Sequence, residues 1–370
     1  MLQQTLSERD VSLGERLYKI HEEIRTDHPD LCRIAVALYD HETDILKTFA
    51  HSTDGISPIS FYQAKLSETT SLKELAEKKQ TRIIDDLTSV QSQKSHSTKL
   101  LESGYKSSMT MPIIFNERLY GFLFFNSPKT HFFSDSRSAS IRAYAGVVSL
   151  LVVNEMQTLT TFRGAVQTAR EFSRQRDEET GNHLERMSRY AHLIARELAP
   201  KHNKADDWVE YIFQFTPLHD VGKVAVPDEI LLKPGRLTKE EFDVMKTHVL
   251  KGEQIISLMS REFGLRSVNF FDMLHNIVLY HHEALDGSGY PHGLKGNNIP
   301  LEARICAVAD IFDALTSARP YKAAWTNDEA LQWLRKNAGV RVDTECVDAL
   351  EKHMDRVKII QSEFEEDYIG

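Results

Sequence analysis

His-Asp-Val-Gly-Lys-Val-Ala-Val-Pro, residues 219–227, decides how the second half of this chain is read. It follows the apolar run Trp-Val-Glu-Tyr-Ile-Phe-Gln-Phe at 208–215 and leads into a Gly/Pro-rich stretch at 222–235. Neighbouring side chains on a helix diverge by about 100°. His219 and Asp220 are therefore expected to face different metal ions, with the Asp220 carboxylate as bridge. Lys223 is expected on the same face if the helix continues past Gly222.

Further residues of the same chemistry stand on either side. Glu179 and His183, in Glu-Thr-Gly-Asn-His, are spaced i, i+4 and project from one helix face, which suits one ion. His248 stands alone in a helix-like stretch, His281-His282 ends the apolar run Asn-Ile-Val-Leu-Tyr, and Asp310 has Asp313 one turn on. A lone histidine on an apolar face is ordinarily a packing residue, and a His-Asp dipeptide arises by chance. The set carries the argument: five histidines and three carboxylates at helix ends and Gly-rich turns, with no cysteine among them. Imidazole and carboxylate suit Fe, Mn, Zn or Ni rather than thiolate-selected metals.

The 219–227 stretch resembles the HD motif of metal-dependent phosphohydrolases. His-His-Glu-Ala-Leu-Asp-Gly-Ser-Gly-Tyr-Pro-His-Gly at 281–293, with Arg-Pro-Tyr-Lys at 319–322, is similar to the HD-GYP subfamily, over roughly residues 160–360. The resemblance implies hydrolysis of cyclic di-GMP to linear pGpG and on to GMP in some members, at two or three divalent ions, with iron first and Mn, Zn or Ni as alternatives. It implies metal ligation by Glu179, His183, His219, Asp220, His248, His281, His282 and Asp310, with Glu179 supporting a third ion. It gives Lys223, Arg319 and Lys322 the substrate phosphates, and Gly289, Tyr290 and Pro291 the substrate loop and contact with a diguanylate cyclase. Asp220, Lys223 and Asp313 take the catalytic positions, Asp313 as an outer-shell or substrate-orienting carboxylate. Such ions also reconcile an acidic chain with an anionic substrate. A catalytically silent nucleotide-binding module, or a hydrolase of another cyclic dinucleotide, is the alternative. The remaining histidines, His192, His202, His275, His292 and His353, are read as packing, outer-shell or surface residues.

Composition narrows the rest. The 370 residues, with 41% hydrophobic and 27% charged, fit a globular chain of two domains. A net charge of −9 disfavours bulk nucleic acid. Three cysteines, Cys32, Cys306 and Cys346, form no C-x-x-C pair and no disulfide framework. The first ten residues lack an apolar core, so no signal peptide is expected, and no apolar run approaches the roughly 20 residues a spanning helix needs. The expectation is a cytoplasmic protein.

Before residue 160 the pattern is different. Residues 1–29 read as a helix. Residues 30–155 hold short β-type runs (33–40, 44–53, 81–87, 105–115, 118–127) around Ser-Leu-Lys-Glu-Leu-Ala-Glu-Lys-Lys-Gln, where Ser71 and Glu74 predict a capping box. Asn116-Glu117 fits a hairpin turn. This α+β antiparallel-sheet domain, ending in Pro-Ile-Ile-Phe-Asn-Glu-Arg-Leu-Tyr-Gly-Phe-Leu-Phe-Phe-Asn-Ser, resembles a GAF domain, with a PAS-like sensor as the alternative. It lacks the cyclic-nucleotide signature of some relatives. A connecting helix over 135–175 carries the stripe Ile141, Ala145, Val148, Val152, Leu159, Phe162 and Val166. That stripe fits either a coiled-coil seam in a homodimer or a linker packed on its own domain. Residues 160–370 are expected to form an all-α bundle. The fold class is multi-domain: a GAF-like α+β sheet domain, a long helix and an HD-type helical bundle.

Overall fold

The computed structural model describes residues 11–55, 57–89, 95–172, 181–262, 271–317 and 324–365. The chain divides into two compact units, residues 1–158 with 205–207, and residues 159–204 with 208–370.

The first unit begins with α1, Leu13–Asp27. Ser12 Oγ accepts from the Glu15 N–H while the Glu15 carboxylate accepts from the Ser12 N–H, a reciprocal capping box. Leu13, Leu17, Ile20 and Ile24 recur at helical spacing and are all buried. The six strands are β1 (Arg33–Asp40), β2 (Ile45–Thr53), β3 (Gln63–Lys65), β4 (Arg82–Ile84), β5 (Ser107–Phe115) and β6 (Arg118–Ser127). They form one antiparallel sheet in the order β3-β2-β1-β6-β5-β4. Asn116 and Glu117 both take positive φ, 47° and 62°, as a two-residue hairpin turn matched to strand twist requires. Helix α2, Thr70–Lys78, buries Leu72 and Leu75 against Ala37, Leu46 and Phe122 of the sheet. Helix α3 is Ser95–Glu102.

One cap differs from expectation. A 3-10 turn at Leu66–Glu68 runs directly into α2, so the helix starts before Ser71 and Thr69 occupies the cap position. Thr69 Oγ1 donates to the Leu66 carbonyl, and no side chain caps the helix.

Helix α4, Asp135–Phe172, carries the apolar stripe. Ile141, Ala145, Val148, Val152, Leu159 and Phe162 are already buried within the single chain. The described part of the stripe is therefore packed within its own chain, as the linker reading expects. The side chain of Val166 lies outside the described residues.

Among the described residues the second unit is helical, apart from one isolated bridge between Ala338 and Val342. Its elements are α5 (Gly181–Leu198), α6 (Asp206–Phe215), α7 (Asp228–Leu231), α8 (Lys239–Met245), α9 (His248–Glu262), α10 (Phe271–Tyr280), α11 (Leu301–Thr316), α12 (Asn327–Asn337), α13 (Thr344–Lys352) and α14 (Met354–Glu363). Helix α5 is the hub and packs against α11 and α13. Its Leu184, Met187, Ala191, Ile194 and Leu198 recur three and four apart and are buried. Tyr190 meets Phe312 of α11 edge to face, with centroids 5.4 Å apart. No helix among the described residues is long and apolar enough to cross a membrane.

Candidate metal centre

The chain after α6 does not stay α-helical. Two 3-10 turns, Thr216–Leu218 and Val221–Ala225, flank His219 and Asp220. The helix expected through this pair ends at Phe215, and Pro217, which lacks an N–H, opens the tighter turn. The second turn lies hard against the start of α9. A Cβ added at Gly222 would stand 1.9 Å from the His248 carbonyl oxygen and 2.4 Å from the Gly252 nitrogen. Glycine at 222 thus permits the contact that brings Asp220 to His248.

Two donor sets result. Asp220, His248, His281 and His282 form one, and His183, His219 and Asp310 the other; within each, one ligand-type atom per residue lies within 4.8 Å of the rest. Asp220 faces both. Its Oδ1 is 3.0 Å from His248 Nε2 and 3.5 Å from His281 Nε2, and its Oδ2 is 3.1 Å from His219 Nε2. Lys223 Nζ closes on the same Oδ2 at 2.8 Å, reached through the 3-10 turn rather than a continuing helix. His183 Nε2 lies 4.0 Å from Asp310 Oδ1.

Three of the rings are aimed from behind. Nδ1 of His219 faces the Thr216 carbonyl at 3.0 Å, that of His248 the Met245 carbonyl at 2.8 Å, and that of His281 the Ile277 carbonyl at 3.0 Å. A ring that donates through Nδ1–H presents a bare Nε2 lone pair to the centre, the form a metal ligand needs. Burial lowers the pKa of His281 and lowers that of His282 well below its ordinary value, so both rings are neutral. Burial disfavours the Asp220 carboxylate, but Lys223 and His219 outweigh it and hold that group well below the usual carboxylate range. The buried atoms Asp220 Oδ1, His248 Nε2 and His281 Nε2 converge with no hydrogen bond of proper geometry. Imidazole nitrogens and a carboxylate oxygen that converge in a buried site are what a divalent cation satisfies. The donor set fits such an ion.

Asp313 is not among the converging donors. It is fully buried behind His183, with Oδ2 2.8 Å from His183 Nδ1, because it sits one turn beyond Asp310 and points into the α5–α11 interface. Its enclosed carboxylate contacts His183, which agrees with the outer-shell role expected of it. Glu179, Arg319 and Lys322 lie outside the described residues.

The Gly-rich loop after His282 is folded by its own chain. A Cβ at Gly289 would stand 2.3 Å from the Ala284 nitrogen and 2.5 Å from the His282 carbonyl oxygen, so the loop's own packing requires glycine here. The Tyr290 N–H donates to that same carbonyl, and the Tyr290 ring lies 4.8 Å from the His282 ring, tilted by 35°. Pro291 follows through a cis peptide bond. Burial raises the Tyr290 pKa, so the phenol stays neutral. The other histidines are used elsewhere: His275 meets Glu253, His202 meets Glu345 and His353 meets Glu197.

The family model described as an HD domain matches residues 175–346, and that described as a GAF domain matches residues 12–153. The chain joins a GAF domain to an HD domain. This GAF–HD chain is 47% identical over 196 residues to the cyclic di-GMP phosphodiesterase response regulator RpfG of Xanthomonas campestris, covering 53% of itself and 47% of that protein. It is 39% identical over 216 residues to a cyclic di-GMP phosphodiesterase of Vibrio cholerae, covering 55% and 44%. It is 37% identical over 187 residues to the 3'3'-cGAMP-specific phosphodiesterase 2 of Vibrio cholerae, covering 50% and 34%. The GAF–HD chain thus spans less than half the length of each of these relatives.

Two residues of the GAF–HD chain went unread in its sequence. Glu283, only 6% exposed, accepts the N–H groups of His292 and Leu294 and so ties down the loop carrying Tyr290. Arg186, on α5, grips Asp313. Their signals were position: Glu283 follows the His pair directly, and Arg186 stands one turn beyond His183.

Proposed function

We propose that this chain is a metal-dependent phosphodiesterase that opens cyclic di-GMP to linear pGpG or on to GMP, under control of its GAF domain. The observation that carries the reading is Asp220. One carboxylate, buried and ionised, turns one oxygen to His248 and His281 and the other to His219 and Lys223. That is the arrangement a two-ion phosphodiester hydrolase requires of its bridge.

His219, Asp220, His248, His281, His282, His183 and Asp310 would hold the ions, which supply an acidified water and neutralise phosphate charge. The all-nitrogen-and-oxygen donor set suits iron, manganese, zinc or nickel, and the resemblance to the HD-GYP subfamily puts iron first. Lys223 neutralises Asp220 and offers its ammonium to a phosphate oxygen. Tyr290 presents a neutral ring beside His282 on which a guanine can stack.

Turnover of cyclic di-GMP by purified protein, loaded anaerobically with Fe(II) or Mn(II), tests this. Release of pGpG or GMP is expected, and no turnover with either ion overturns it. The similarity to a 3'3'-cGAMP-specific enzyme gives the second reading a specific basis. Parallel assays rank the substrates by kcat/KM, and a higher value for 3'3'-cGAMP would replace cyclic di-GMP with it.

A further inference from the structure

Arg186 is 5% exposed and takes both oxygens of Asp313, Nε to Oδ1 at 2.7 Å and Nη2 to Oδ2 at 2.8 Å. Two further anchors hold the guanidinium: Nη2 donates to Ser317 Oγ at 2.7 Å and Nη1 to the Phe364 carbonyl at 2.9 Å. Asp313 Oδ2 in turn meets His183 Nδ1 at 2.8 Å. A planar fork that engages both carboxylate oxygens fixes the rotation as well as the place of Asp313, which a single hydrogen bond does not.

The other rings are aimed differently. His219, His248 and His281 each turn Nδ1 to a backbone carbonyl, which the fold holds without further help. The backing of His183 is a side chain that is itself held by a side chain. The two donor sets therefore differ in one member: His248 and His281 of the first, like His219 of the second, lean on backbone carbonyls, whereas His183 of the second leans on the Arg186–Asp313 pair.

We propose that Arg186 is a positioning residue that acts through Asp313 to fix His183, and that it sets metal occupancy at the His183–His219–Asp310 set alone. This rests on reading both donor sets as metal sites.

The test is Mn(II) binding by the full chain, followed by titration and by elemental analysis after desalting, for wild type, Arg186→Gln and the nearly isosteric Asp313→Asn. Wild type is expected to bind at least two ions. Each variant is expected to weaken one ion by roughly 10–100-fold, the usual effect of removing an outer-shell partner, and to keep the other. Activity of each variant should recover as Mn(II) is raised, with KM for the dinucleotide unmoved, which a merely structural defect would not produce. Arg186→Lys, with the charge but not the fork, should fall between. Wild type that binds no ion overturns the two-site reading and this inference together. Wild type binding two ions, with both folded variants binding two equally well, overturns this inference alone, as does equal weakening of both ions. If Arg186→Gln does not fold, Asp313→Asn decides by the same criteria.

Discussion

At the scale of the residue, Asp220 concentrates the chemistry. Replacing it with asparagine keeps the shape and removes the charge on which both donor sets converge. The proposed bridge predicts a fall in kcat beyond the roughly 10–100-fold typical of outer-shell changes, and at least one ion fewer per chain. Metal analysis beside a rate measurement checks this, and an Asp220→Asn protein with full metal and full rate would rule the bridge out. The pair His219-Asp220 was legible because adjacency is a local property of sequence. Arg186 and Asp313 were not legible as a pair. They are 127 residues apart, and only the packing of α5 on α11 makes them neighbours. Asp313 therefore looked like a candidate for the cleft, when burial places it behind a ligand.

At the scale of the element, local signals succeeded where apolar spacing governed and failed where a neighbouring turn intervened. The strands and hairpin turn of the sheet follow alternation and turn chemistry. The cap of α2 was misplaced because the preceding 3-10 turn fixes where the helix starts, and nothing at Ser71 records that turn. The segment after Phe215 departs from its helix-like pattern for the same reason, and its two 3-10 turns are what direct Asp220 and Lys223 at one point. The loop from 283 to 294 makes its own prediction. Glu283→Ala removes the acceptor of the His292 and Leu294 N–H groups and releases the backbone beside Tyr290. KM for the dinucleotide is expected to rise by about tenfold while bound metal stays unchanged, as 1.4 kcal/mol of lost positioning implies. Steady-state kinetics with metal analysis measures both, and an unchanged KM would show that Tyr290 needs no such support.

At the scale of the whole molecule, the two units were separable in sequence because their hydrophobic periods differ: two residues for the sheet and 3.6 for the bundle. The stripe on α4 was ambiguous, since the same spacing serves a dimer seam and an internal face, and only burial within one chain separates them. The division also gives a selective test of the metal reading. Both donor sets belong to the second unit. All three tryptophans, Trp208, Trp325 and Trp333, belong to it as well, so their fluorescence reports on that unit alone. An ion present at a hundred times its dissociation constant stabilises the folded state by about 2.7 kcal/mol. For a unit of this size that corresponds to roughly 5–10 °C in melting temperature. Removing metal with a chelator is expected to lower the tryptophan-detected transition by this amount. The first unit holds none of the donor residues, so a separate calorimetric transition of that unit is expected to hold its midpoint. Restoring Mn(II) should return the tryptophan transition to its starting value. A tryptophan midpoint indifferent to chelation would mean that the donors of α5, α9 and α11 stand together without an ion to hold, and the hydrolase reading would fall with it.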